Sequence, residues 1–178
     1  MKMIVGLGNP GERYRLTRHN IGAVLIERFS KNRSIAVTQE KFSSRIGQGE
    51  VGRHKVLLQI PLTFMNLSGE AVSEALNFYK IPIELLLVVH DDIDLALGRM
   101  KLDFDAGAAG HKGVLSIIDR TGGASFYRLR LGIGRPARKE EVEGFVLSPF
   151  SGDEGAAVEE MLQEGEGQLE GWILKEEG

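Results

Sequence analysis

Five consecutive apolar residues, Leu85–Val89, lead without a break into His90-Asp91-Asp92-Ile93-Asp94. A run this short and continuous is expected of a strand covered on both faces, so helices must lie on either side of a sheet. Lys2–Leu7 reads the same way and ends in the turn Gly8-Asn9-Pro10-Gly11. Phe42–Ile46 and Lys55–Ile60 read as an antiparallel pair around Gly47, Gly49 and Gly52. Further strands are expected near Arg99–Phe104 and Phe126–Ile133. Between them the pattern turns helical. Asn20 is placed to cap a helix burying Ile21, Val24, Leu25 and Phe29, and Ser68 to cap one burying Val72, Ala75, Leu76 and Tyr79. A third helix carries Val114, Leu115 and Ile118 after a Gly/Ala-rich loop, and the acidic stretch from Asp153 to about Leu174 reads as a fourth. No repeat or linker interrupts this order, which predicts an α/β fold, one domain over residues 1–178 with a sheet sandwiched between helices.

Composition narrows the chemistry. The chain has no cysteine, so disulfides, thiolate nucleophiles and Cys-ligated zinc are excluded. No apolar run reaches the length of a membrane span, and the N-terminus lacks a signal-peptide layout. The expectation is a soluble, cytoplasmic protein. Its net charge of -3 conceals an asymmetry: residues 1–139 carry 21 Lys+Arg against 13 Asp+Glu, while residues 140–178 carry one Lys against 12 acids. A basic body with an acidic tail permits a polyanionic substrate on one face, although charge alone fits a soluble protein with an acidic surface helix better.

Gly6-Leu7-Gly8-Asn9-Pro10-Gly11 matches the dinucleotide fingerprint G-x-G-x-x-G behind a strand. That fingerprint needs a helix to begin in the turn. Pro10 instead biases Asn9 toward extended geometry, and the acid at the right distance, Glu27, falls inside a helix rather than at a strand end. A nicotinamide or flavin site is not expected.

The remaining candidates are polar side chains at element ends. His19, in Thr17-Arg18-His19-Asn20, sits where a post-strand loop meets the first helix, a position where α/β proteins place ligands. Asp91, at the carboxyl end of the central strand, is suited to accept a hydrogen bond from its imidazole, fix the tautomer and support proton abstraction from water. The rival reading makes His90, Asp91, Asp92 and Asp94 a divalent-metal site, but those positions alternate faces along an extended chain. Asn9 and Asn66 offer amide donors and acceptors for an ester carbonyl or a substrate amide. Phe64 and Tyr14 offer flat faces for a base or a peptide side chain. Each of these four, taken alone, is as well explained as a turn, cap or core residue.

Five stretches together closely resemble the bacterial peptidyl-tRNA hydrolases: GLGNPGERYRLTRHNIG at 6–22, PLTFMNLSGEAV at 61–72, VVHDDIDLALG at 88–98, FYRLRLGIGRP at 126–136 and GFVLSPF at 144–150. The resemblance spans almost the whole chain. It implies a single-domain α/β/α fold with a mixed sheet, usually monomeric and working without metal or cofactor. It also implies hydrolysis of the ester joining a peptide to the 3′-terminal ribose of tRNA. The family's catalytic base falls on His19 and its supporting aspartate on Asp91. The asparagine that helps separate blocked from free aminoacyl groups falls on Asn9. Tyr14, Phe64 and Asn66 match substrate-contacting positions, and Arg130 matches a cation implicated in gripping the acceptor-stem phosphate. The chain departs from the pattern at Lys112, where asparagine is usual, and at Asp103 and Asp105, where further basic residues are usual. Lys101, Lys112 and Arg130 remain as phosphate candidates. Some chloroplast relatives act in RNA splicing without hydrolysis, which leaves a drifted RNA-binding role as the alternative.

Overall fold

The computed structural model describes residues 1–177. Seven strands form one mixed, twisted sheet: β1 (Lys2–Gly6), β2 (Gln39–Lys41), β3 (Ser44–Val51), β4 (His54–Pro61), β5 (Leu86–Asp92), β6 (Met100–Phe104) and β7 (Tyr127–Gly132), in the order β2-β3-β4-β1-β5-β7-β6. The central strands β4, β1, β5 and β7 run parallel, while β2, β3 and β6 pair antiparallel at the edges. β1 and β5 are buried along their whole length, as their unbroken apolar sequences require.

Alternate residues of these strands feed two cores. Ile4, Leu87, Val89, Leu129 and Leu131 pack beneath α1 (Ile21–Asn32) and the C-terminal helix, residues 155–174. Met3, Val5, Leu86 and Val88 pack beneath α2 (Ser68–Tyr79) and α3 (Lys112–Thr121). A short α4 (Val142–Val146) precedes the C-terminal helix α5 (Gly155–Leu174). Among the described residues, no helix is long and apolar enough to cross a membrane.

Gly6, the first glycine of the nucleotide-like motif, has a packing role that it shares with Gly22. A Cβ on Gly6 would stand 2.5 Å from Gly22 O, and one on Gly22 would stand 2.2 Å from Val89 O. α1 therefore lies directly on the ends of β1 and β5. It begins only at Ile21, after two 3-10 turns, and not in the glycine turn itself.

Several local expectations are corrected. β5 extends past Val89 to include His90, Asp91 and Asp92, because β7 continues the ladder and pairs Asp91 with Leu131 and Asp92 with Gly132. The β3–β4 turn lies at Gly52 and Arg53; Gly47 and Gly49 are inside β3, where Gly47 admits the backbone of Ala36. Neither expected cap caps with its side chain. Ser68 is the first residue of α2 and its hydroxyl donates to Met65 O at 2.8 Å. Asn20 occupies the cap position of α1 but turns its amide toward Asn9.

Candidate active site

The carboxyl ends of β1 and β5 open into a cleft of about 1080 Å³. Its floor holds Asn9, His19, Asp91 and His111, and Phe64, Met65, Asn66 and Lys112 stand on one side. Val142, Glu143, Val146 and Leu147 form a further wall. Parallel strands end here together, the usual place for a ligand in an open α/β sheet.

His19 projects from the 3-10 turn Arg18–Asn20 that feeds α1. Its Nδ1 lies 2.9 Å from both carboxylate oxygens of Asp91. A carboxylate only accepts, so Nδ1 carries the proton and Nε2 is left with its lone pair. A second imidazole shares the same acid: His111 Nε2 lies 2.9 Å from Asp91 Oδ1. His111 also caps α3, its Nδ1 accepting from the N–H groups of Gly113 (3.1 Å) and Val114 (3.3 Å). That accepting role fixes Nδ1 as bare and makes Nε2–H the donor to Asp91. His90 approaches from behind, its Nδ1 donating to the backbone carbonyl of Asp91 at 2.7 Å.

Burial by itself would raise the Asp91 carboxyl. The charge and hydrogen bond of His111, followed by those of His19, overcome it and hold the acid well below the usual carboxylate range. Asp91 is therefore an anion throughout the physiological range. His90 goes the other way: burial first, then the neighbouring His111, lowers it from 6.5 to about 3, so it stays neutral.

Asn9 is oriented from two sides. Its backbone N–H donates to Asn20 Oδ1 and its carbonyl accepts from Asn20 Nδ2, both at 2.9 Å. Its side-chain Oδ1 accepts the Met65 N–H at 2.8 Å. With Oδ1 committed, Nδ2 is the face that Asn9 turns to a ligand; no hydrogen bond among the described residues uses it. Asn66 and Phe64 line the cleft and are exposed, Phe64 to 57%. Lys112 also lines it, at the first residue of α3.

Three anticipated residues lie elsewhere. Tyr14 is half-buried in the Glu12–Tyr14 turn, with the Arg13 guanidinium 5.2 Å from its ring, and does not line the cleft. Lys101 is an exposed residue of β6, 3.4 Å from Asp103 Oδ1. Arg130 is locked between two acids, Nε on Asp92 Oδ2 and Nη1 on Asp103 Oδ2, each at 2.7 Å. Asp103, the departure noted in the sequence, thus neutralises this cation directly.

Sequence reasoning left the part of His111 open and gave Asn20 the wrong task. The signal for His111 was a histidine one residue before a helix, but its partner Asp91 is 20 residues away and only the fold joins them. Of the rival metal set His90, Asp91, Asp92 and Asp94, which the alternation of faces argued against, Asp92 pairs with Arg130 and Asp94 with Arg135. The group with metal-like spacing among the described residues is His19, Asp91 and His111, whose ligand atoms lie within 4.8 Å of one another. Those atoms already hydrogen-bond to each other, so an ion there would have to displace two N–H protons.

What the arrangement can do is remove a proton from water at His19 Nε2 beside a polarised carbonyl. Comparison with known proteins agrees with that chemistry. Residues 3–177 match the family model described as Peptidyl-tRNA hydrolase. The chain is 47% identical over 163 residues to the peptidyl-tRNA hydrolase of Carboxydothermus hydrogenoformans, covering 92% of this chain and 87% of that protein. It is 41% identical over 175 residues to that of Bacillus cytotoxicus, covering 98% and 94%. A crystal structure of peptidyl-tRNA hydrolase from Acinetobacter baumannii is similar with a TM-score of 0.90 at 35% identity, covering 97% of this chain and 92% of that one. A structure of peptidyl-tRNA hydrolase in complex with N-propanol gives a TM-score of 0.93, also at 35% identity, covering 97% and 88%.

Proposed function

The chain belongs to the peptidyl-tRNA hydrolase family, and from that premise we propose how its cleft cleaves the ester between a peptide and the 3′-terminal ribose of tRNA. It is a carboxylic ester hydrolase. The observation that carries the mechanism is the 2.9 Å contact between His19 Nδ1 and the buried Asp91 carboxylate.

His19 Nε2 takes a proton from a water held in the cleft, and the water oxygen attacks the ester carbonyl. The imidazolium formed at that moment faces a carboxylate that is already ionised, so its charge is stabilised without reorganisation. Asn9 Nδ2 and the Asn66 amide donate to the substrate, one to the carbonyl oxygen and the other to the peptide. As the tetrahedral species collapses, the proton on Nε2 passes to the departing ribose oxygen. The products are tRNA with a free 3′-terminal hydroxyl and a peptide carboxylic acid, which releases its proton to solvent at neutral pH. A positioned base of this kind contributes about 10²–10⁴-fold in rate.

We assign the RNA side of the cleft to Phe64, which offers a ring for stacking, and to Lys112. Lys112 forms no ion pair among the described residues, in contrast to Arg130 and Lys101. Arg130 can grip a phosphate only by releasing Asp92 or Asp103. Tyr14 would reach substrate only outside the cleft proper. The enzyme is read as a single-domain monomer of the cytoplasm, where its substrate is made, using no cofactor. A binding role without turnover gives no reason for one buried acid to orient two imidazoles, which favours the enzyme over a splicing-type relative.

Turnover of peptidyl-tRNA and of free aminoacyl-tRNA by the parent protein and by His19→Ala is the test. The parent should release peptide and spare the free aminoacyl ester, and the variant should release nothing measurable. Parental activity in His19→Ala would remove His19 from the mechanism.

A further inference from the structure

Arg18 precedes the base in the chain, and its guanidinium reaches the segment that follows the cleft wall of α4. It is 8% exposed. Nη1 donates to Ser148 Oγ at 2.6 Å and to Phe145 O at 3.2 Å, and Nη2 donates to Glu154 Oε1 at 2.8 Å. The guanidinium carbon lies 4.1 Å from the Phe145 ring centre and 5.5 Å from that of Phe150. The backbone repeats the tie: Arg18 N–H donates to Ser148 O at 3.0 Å, and Thr17 bridges to Pro149. Every one of these contacts is to the strap 145–154.

α4 leads into this strap and overlaps its first two residues; its Val142, Glu143 and Val146 form a wall of the cleft with Leu147. α4 has five residues and none is buried. A helix this short is not stable by itself, so its place depends on what it is fastened to. Glu154 extends the fastening toward α5: the oxygen that meets Arg18 also accepts the Ser151 N–H at 2.8 Å and the Ser151 hydroxyl at 3.1 Å, a capping box on the 3-10 turn Gly152–Glu154 that leads into the C-terminal helix.

We propose that Arg18 is a positioning residue that sets the cleft wall of α4 at a fixed distance from His19, and so determines how the ester sits against the base. The inference rests on the esterase reading above. One side chain joins the turn that bears the base, the wall of α4 and the approach to the acidic C-terminal helix. Loosening it lets the wall move while the His19–Asp91 pair stays intact. The rate then falls through misplacement of substrate and not through a change in the base.

The test compares Arg18→Ala, Arg18→Lys and the double variant Ser148→Ala/Glu154→Gln with the parent and with His19→Ala, at a temperature where each melting curve shows a folded protein. Arg18→Ala should lose about 10²-fold in kcat/KM, the size expected when a reacting group is misplaced by about 1 Å. Arg18→Lys should recover part of that loss, and Ser148→Ala/Glu154→Gln should lose about tenfold, since only some of the ties are cut. The pH at which the rate rises should stay at the parental position in all three. Adding Arg18→Ala to the double variant should cost less than Arg18→Ala does alone, because both act through the same strap. Should Arg18→Ala fail to fold, the lysine and the double variants decide. Parental kcat/KM in those two would overturn the proposal, as would full additivity of the losses. An inactive parent would instead overturn the esterase reading itself.

Discussion

At the floor of the cleft both carboxylate oxygens of Asp91 and both ring nitrogens of His111 are engaged, whereas along the rim the side chains of Phe64, Asn66 and Lys112 make no hydrogen bond or ion pair among the described residues. The floor is built from strand ends and element starts packed on the two cores; at the rim Phe64 and Asn66 stand on an exposed turn and Lys112 on the outer face of the first turn of α3. The difference separates two tasks. A proton-transfer centre works when its groups are held in place before substrate arrives, while a surface that meets a flexible RNA end and a variable peptide gains from side chains free to adjust. Changes at the floor should therefore act on kcat, and changes at the rim on KM and on salt dependence.

The largest effect should come from Asp91→Asn. An amide there presents N–H groups to imidazoles that also need to donate, so His19 turns to the tautomer protonated at Nε2 and can no longer act as base. Turnover should fall by about 10⁴-fold, with KM little altered; a loss confined to KM would erase the distinction between floor and rim. His111→Ala is next. It removes the cap of α3 and one of the two hydrogen bonds that lower the Asp91 carboxyl. We expect about 1 kcal/mol lower stability from the cap in chemical denaturation, together with about tenfold slower turnover. Equal kcat in parent and variant would reduce His111 to a helix cap.

Lys112→Ala should leave kcat unchanged and raise KM a few-fold, with the slope of log affinity against log salt reduced by about 1 if the lysine neutralises one phosphate. An unchanged slope would assign Lys112 to the peptide side. The smallest effect on turnover belongs to His90, which shapes acid stability instead. Its folded value of about 3 lies below the ordinary 6.5, so on acidification the unfolded chain takes up the proton first. Stability contributed by the neutral ring is full above 6.5 and declines as the pH falls from there toward 3, by up to about 4 kcal/mol. His90→Asn keeps a donor for the Asp91 carbonyl but cannot titrate in this window. Melting temperature against pH should then be flatter in the variant between pH 6.5 and 4, above the ordinary carboxylate value of 3.8 below which the stability contributed by Asp91 is lost.

Floor and rim also differed in how well they could be read from sequence. Leu85–Val89 disclosed a two-faced strand because burial leaves continuous apolar residues, and the acids behind it disclosed the site because buried charge needs a partner. That β5 runs on through Asp92 was hidden, since the partner strand β7 lies about 40 residues later and supplies the ladder that polar residues do not advertise. Asn20 carries the composition of a cap, and only the return of β1 beside α1 shows that its amide clamps Asn9. α4 escaped notice because five residues display no period. The role of Arg18 escaped because its side-chain partners are 127 to 136 residues away. Arg130 matched a phosphate-gripping position, and the cost of the unusual Asp103 was visible in outline, but the double engagement required the parallel β5–β7 register for Asp92 and the antiparallel β6–β7 register for Asp103.

The protonation of the imidazoles can be observed directly by nitrogen-15 NMR of the intact protein, labelled in histidine, at a pH where the enzyme is active. His19 should carry its proton on Nδ1 with Nε2 bare, and His111 should show the reverse, both protons facing Asp91. A His19 protonated on Nε2, or two ring nitrogens indifferent to Asp91→Asn, would contradict the account.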